Sequence, residues 1–322
     1  MSNSQHDPPD QKRRAWGSAP AKLILFGEHA VVYDQPAIAV PMPSLKARAV
    51  AVTGRRGGGV ILHAETIGRH YLMDAVGESE PLAFTCRNVL RWLGIERQPD
   101  VDLHLMSDIP IASGLGSGAA TAAAIARALA RWLGYEFSPA QLSALVYRTE
   151  QLHHGTPSGI DNTVVAFEQP IWFRRHAPLE TLPIGARLCL VVADSGESSP
   201  TRITVGEVRR QWQREPAQYE ALFAAVGDVV QRARAALAAG DGATLGALMN
   251  ENQQLLEAMG VSAPTNERLA EVARRAGALG AKLSGGGRGG NNVALVARGD
   301  AERVAEALRQ AGARQLFVTE VG

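Results

Sequence analysis

The segment Pro110–Ala120, PIASGLGSGAA, restricts the chain more than any other. Glycines 114, 116 and 118 alternate ahead of an alanine-rich run that reads as a helix from about Gly118 to Leu133, stopped by Gly134. Alternating glycines let a backbone come close to a ligand. Free N–H groups at a helix start point at whatever sits there, and the helix dipole favours an anion. In physical terms this is a phosphate site; the plain alternative is a glycine-rich helix start without a ligand. It is not a Walker A loop, because no G-x-x-x-x-G-K-[ST] occurs. It does fit the loose dinucleotide form G-x-G-x-x-G/A. However, Pro110 separates it from the strand-like run 101–106, and no second strand ending in an acidic residue follows.

Three further segments carry chemistry. In Pro20–Pro41 (PAKLILFGEHAVVYDQPAIAVP) a strand breaks at Gly27 and delivers Glu28 and His29 at its end. A turn with a solvated Glu-His pair would look the same. In Ala281–Asn292 (AKLSGGGRGGNN) five glycines surround Arg288 between two strands. A hairpin needs fewer, so the backbone is expected to pass close to something, unless this is a loose hairpin tip with a solvated Arg. In Glu150–Asn162 (EQLHHGTPSGIDN) Glu150 ends a helix, and Asp161 follows in a loop made irregular by Gly155, Pro157 and Gly159. Carboxylates placed this way can hold Mg²⁺ and orient a hydroxyl. His153 and His154 are adjacent, point apart and read as structural.

The 322 residues suit two domains. The first half reads as strands near 16–26, 45–53, 59–64, 69–73 and 101–106, with helices at 81–93, 118–133 and 139–153, an α+β pattern. The second half reads as a strand at 187–193, helices at 199–213, 216–239, 241–258 and 265–276, strands at 280–284 and 292–297, a helix at 301–311 and a strand at 314–319. That is the ferredoxin-like order with inserted helices. The expected division is a disordered leader over 1–14, an N-terminal domain over 15–183 and a C-terminal domain over 184–322. Lys plus Arg is 33 against 32 for Asp plus Glu, so bulk charge gives no reason to expect nucleic acid or an acidic membrane. No apolar run approaches the length of a membrane-spanning helix. Two cysteines make no disulfide framework and suit a reducing, cytoplasmic compartment.

In this order, the four segments together with DSGESSPT (194–201) resemble the GHMP kinases over about 16–319. The string Gly27–Val32 followed by Tyr33, and His154–Asn162, are most similar to the mevalonate kinase branch. The resemblance implies a two-domain α+β fold, with an N-terminal domain of ribosomal-protein type and a ferredoxin-like C-terminal domain with inserted helices. It implies ATP and Mg²⁺ as cofactors, mevalonate phosphorylated on its C5 hydroxyl, and a homodimer, as is frequent in the family. Pro110, Ser113, Gly114, Leu115, Gly116, Ser117, Gly118 and Ala119 would wrap the ATP phosphates, with Gly286 and Arg288 closing over them. Glu150 and Ser117 would serve the metal. Asp161 would face the acceptor hydroxyl as base or orienting anion, with Lys22 beside it. Glu28, His29 and Thr201 would hold the acceptor, and adenine would lie in 55–95. The chain departs from the family pattern at Gly118, where a second serine usually serves Mg²⁺, and at Gly286, Arg288 and Asn291, where Ala, Gly and Cys are usual. Gly118 and Arg288 leave open a related acceptor, such as a mevalonate phosphate. A ligand-binding protein without catalysis is disfavoured, because Lys22, Glu150 and Asp161 are retained together.

Overall fold

The computed structural model describes residues 13–322 apart from 112, 155–156 and 198–200; the expected leader lies outside the described residues except for its last two positions. The strands β1 (Arg14–Phe26) and β2 (Ala37–Thr53) pair antiparallel along most of their length. The second strand starts at Ala37 and not near 45, although Pro41 and Pro43 lie within it. Pro43 is tolerated because the register steps from Pro20↔Lys46 to Ala21↔Met42, so that 43–45 have no partner in β1, while Pro41 stays opposite Lys22. Such a bulge bends the strand and re-aims the side chains that follow, here Lys22.

There follow β3 (Val60–Ala64), β4 (Arg69–Leu72), α1 (Pro81–Trp92), β5 (Val101–Ser107), α2 (Ser117–Trp132), α3 (Pro139–His154), α4 (Ile160–Phe167), β6 (Ile171–Phe173) and β7 (Glu180–Thr181). The first sheet runs β4-β3-β5-β2-β6-β7, with β1 also on β2. The long β2 takes β5 along its second half and β6 along its first. The alanine-rich α2 lies on β1 and β2, and its small side chains permit a very close approach. A Cβ on Gly17 would stand 2.2 Å from the Ala124 carbonyl oxygen. The stretch after Gly159, expected as loop, is the helix α4, so Asp161 sits in a first helical turn. Ile160, Val164 and Val165 are buried and hold that helix against the sheet. The glycines and proline before it masked its short apolar pattern.

The second half contributes β8 (Leu188–Asp194), α5 (Thr201–Arg214), α6 (Pro216–Ala239), α7 (Gly242–Ala258), α8 (Pro264–Arg275), β9 (Gly280–Ser284), β10 (Asn291–Val296), α9 (Ala301–Gln310) and β11 (Gln315–Val321). Its sheet is antiparallel in the order β11-β8-β10-β9. That is strand order 4-1-3-2, the ferredoxin-like arrangement expected from the sequence, with α5, α6 and α7 inserted before the first crossover helix α8. One hydrophobic core runs through both halves, from Leu23 and Ile125 to Leu190, Val226 and Leu283.

Gly17→Ala should lower stability by about 1–3 kcal/mol, because the added methyl meets helix backbone and cannot rotate away. Chemical denaturation measures this, and an unchanged midpoint would contradict the packing described.

Candidate active site

The loop before α2 is held by its own backbone. The Ser113 hydroxyl donates to the Pro110 carbonyl at 2.8 Å. Leu115 is buried and its carbonyl accepts from the Lys22 amide at 3.0 Å. The bulged strand is thereby tied to the loop. Gly116 caps the helix in a left-handed conformation (φ 74°), without a side-chain cap among the described residues. The N–H groups of a helix start have no intrahelical partner, and here Ser117 is half-buried and Gly118 exposed, an arrangement that suits an anion. A side chain at Gly116 would strike Lys22, whose Cγ is 2.9 Å from the Cβ position.

Lys22 is almost wholly buried, and its Nζ lies 3.0 Å from Asp161 Oδ1. The other carboxylate oxygen of Asp161 faces the Gly116 turn, 3.7 Å from that same Cβ position. Glu150 is buried on α3, four residues before its end, and a Cβ on Gly118 would stand 3.2 Å from its Oε1. Burial, then the negative charge of Asp161, push the Glu150 carboxyl up to about 7, against the pull of Lys22. Lys22, Glu150, Asp161 and the start of α2 are thus brought together as the sequence predicted.

The turn after β1 meets the second half of the chain. Glu28 is buried and its Oε1 is ion-paired with Lys282 of β9. His29 takes a left-handed backbone (φ 60°), and its Nε2 donates to the Gly286 carbonyl at 3.0 Å. A carbonyl can only accept, so Nε2 carries the proton and Nδ1 is a bare acceptor. Burial, chiefly, pulls the His29 imidazole down to about 4, so the ring is neutral at physiological pH. Glu28 Oε2 and His29 Nδ1 are both buried and have no hydrogen-bond partner among the described residues. Thr201 opens α5 and presses on Gly286, where a Cβ would lie 2.7 Å from its Oγ1.

Arg288 does not reach into this group. It is ion-paired with Glu207 of α5, and its Nη2 donates to the Gly260 carbonyl at 3.3 Å. Asn291, at the start of β10, donates through Nδ2 to the Ser113 carbonyl and so ties the two glycine loops together. Between them a pocket of about 240 Å³ is lined by Pro110 and Ser113 on one side and Asp194, Gly290 and Arg314 on the other. Lys282 was missed by the sequence reading, although a lysine inside the apolar run of β9 is an available signal.

Among the described residues no three His, Cys, Asp or Glu side chains are grouped to hold a metal ion. Mg²⁺ does not need such a cage: it binds through one or two carboxylates and substrate phosphates. Glu150, whose Oε1 lies 3.2 Å from the Cβ position of Gly118 at the start of α2, is placed to be such a carboxylate once deprotonated.

Comparison with known proteins agrees with this geometry. The profile described as GHMP kinases N terminal domain matches residues 82–169, and that described as GHMP kinases C terminal matches 233–314. A mevalonate kinase of Thermococcus sibiricus is 34% identical over 317 residues, covering 93% of this chain and 94% of that one. A mevalonate kinase of Pyrococcus horikoshii is 36% identical over 314 residues, covering 92% of each. Among solved structures, L. major mevalonate kinase in complex with R-mevalonate superposes with a TM-score of 0.86 at 28% identity, covering 98% of both chains. The chain belongs to the GHMP kinase family, and within it to the mevalonate kinases. Among the described residues no helix is long and apolar enough to cross a membrane.

The Glu150 pKa has a consequence for stability. The folded chain keeps this proton between about pH 4.5, the ordinary value, and about pH 7. The group therefore favours folding fully below pH 4.5, and that contribution is lost as pH rises through 7. In metal-free buffer Glu150→Gln should raise the melting temperature at pH 8 and leave it nearly unchanged at pH 4.5. A difference independent of pH would contradict the burial argument.

Proposed function

We propose that the chain transfers the γ-phosphoryl group of ATP to the C5 hydroxyl of (R)-mevalonate, giving 5-phosphomevalonate and ADP. The observation that carries this reading is the Lys22–Asp161 ion pair at the mouth of the α2 anion site. Phosphoryl transfer needs positioning and charge stabilisation more than covalent help. The helix-start N–H groups at Ser117 and Gly118 cradle the phosphates, with Gly114 and Gly116 giving the backbone room. Asp161 accepts or orients the hydroxyl proton of the attacking alcohol. Lys22 holds that carboxylate in place and offers a cation where charge builds up between acceptor and phosphate. Glu150, with the Ser117 hydroxyl, would hold Mg²⁺, which would supply positive charge against the phosphates.

Glu28 Oε2 and His29 Nδ1 are acceptors without partners, and they suit an acceptor that brings hydroxyl donors. Thr201 and Gly286 close the same turn from the other half of the chain. Arg288 was the ground for a phosphorylated acceptor, and its charge is already matched by Glu207. We place the domain boundary at 183/184, between β7 and β8. A reducing, cytoplasmic setting suits the two free, buried cysteines, Cys86 and Cys189.

A coupled ADP-release assay over mevalonate, its 3- and 5-phosphates, homoserine and galactose tests the reading. Mevalonate should be turned over fastest; a clear preference for another alcohol would overturn it. Asp161→Asn should cut kcat by about 10² or more with the KM for ATP nearly intact, because the loss falls on the transition state. Turnover within a few-fold of the parent would remove Asp161 from its role.

A further inference from the structure

Lys282 is fully enclosed within the apolar strand β9, and its only neighbours along the strand are Ala281 and Leu283. Its ammonium is ion-paired with Glu28, 254 positions away, and donates to the Leu283 carbonyl at 2.6 Å. Burial pushes the Glu28 carboxyl up and the Lys282 ammonium down, and their attraction opposes both. Two more contacts join the same edges. Ser284 Oγ donates to the Ile24 carbonyl at 2.9 Å, and the Gly286 carbonyl accepts from His29 at 3.0 Å. Lys282 and Ser284 lie two apart on β9, on one face of the strand, and Gly286 adds its backbone carbonyl just beyond the strand end. The end of β1 and its turn are thus held at three points.

The lysine does more than pair a charge. Glu28 also feels Lys22, the cation that Asp161 holds at 3.0 Å. With Lys282 on its Oε1, Glu28 has no need of Lys22, and its Oε2 stays free. Removing one member of a buried pair leaves the other charge unmatched and makes it seek a new partner. Lys22 is the other cation whose charge reaches Glu28.

We propose that Lys282 is a positioning residue for the acceptor alcohol: by holding Glu28 it aims Glu28 Oε2 and His29 Nδ1 at the acceptor and leaves Lys22 to Asp161. This rests on the reading above that Glu28 and His29 face the acceptor. The helix start that would take the nucleotide phosphates belongs to α2, whereas Lys282 holds the turn after β1, so the larger effect falls on the acceptor.

The test is steady-state kinetics of Lys282→Met, Glu28→Gln and the double variant, each checked for folding by circular dichroism. The acceptor used is whichever alcohol the parent enzyme phosphorylates fastest, so a failure of the mevalonate reading shows in the parent and not in the variants. Lys282→Met should raise the acceptor KM about tenfold or more while the ATP KM stays within about twofold. The double variant should be no worse than the sum of its parts allows, and clearly better than additive, because both changes act on one pair. Equal changes in both KM values, no change in the acceptor KM, or strictly additive effects would overturn the proposal. If Lys282→Met does not fold, the charge-free double variant carries the same readout: its acceptor KM rises alone, or the proposal fails.

Discussion

The ion pair between Lys22 and Asp161 is the contact around which the site is arranged. Each partner comes from a different kind of element, and each is set by a local irregularity. Lys22 follows a bulge in the β1–β2 ladder, and its amide bonds to Leu115 in the glycine loop before α2. Asp161 follows a left-handed glycine, Gly159, that starts α4. A buried lysine beside a carboxylate is expensive to desolvate unless both are held closely. The close passage of Gly116 over Lys22 supplies that enclosure and puts the anion site of α2 directly against the pair.

The two halves of the chain meet at this point, and the contacts are specific. Asn291 reaches the Ser113 carbonyl, Ser284 reaches Ile24, His29 reaches Gly286 and Glu28 reaches Lys282. The glycines at 287 and 289 serve a different approach, that of the loop to the Val261 and Glu197 backbone within the second half. Arg288 belongs to the same framework. It keeps a left-handed backbone (φ 53°), costly for a side chain that size, while its guanidinium anchors the loop to α5 and to the end of α7.

Much of this was legible in the sequence. The glycines at 114–118, the Glu28-His29 turn, Glu150 and Asp161 could be read because each sits beside residues with strong backbone preferences. The ferredoxin-like order in the second half was legible because its strands are apolar and its helices are long. What was hidden depended on partners far away in the chain. The early start of β2 rests on a bulge that lets Pro43 into the strand, and no local pattern announces it. The helix α4 is too short for its period to stand out beside Gly155, Pro157 and Gly159. The pairing of Arg288 with Glu207 could not be read, because Glu207 is not near it in sequence. Lys282 stood out only as a charge inside an apolar run, since its partner Glu28 comes near it only in the folded chain.

The central claim is that Asp161 and Lys22 address one hydroxyl of the acceptor, the primary one at C5. The most direct measurement is the ³¹P NMR spectrum of the product made from ATP and (R)-mevalonate. Transfer to C5 predicts a phosphate ester whose signal is split by the two protons of the adjoining methylene. A product signal without proton coupling, from an ester at the tertiary C3 oxygen, or inorganic phosphate alone, would contradict the account.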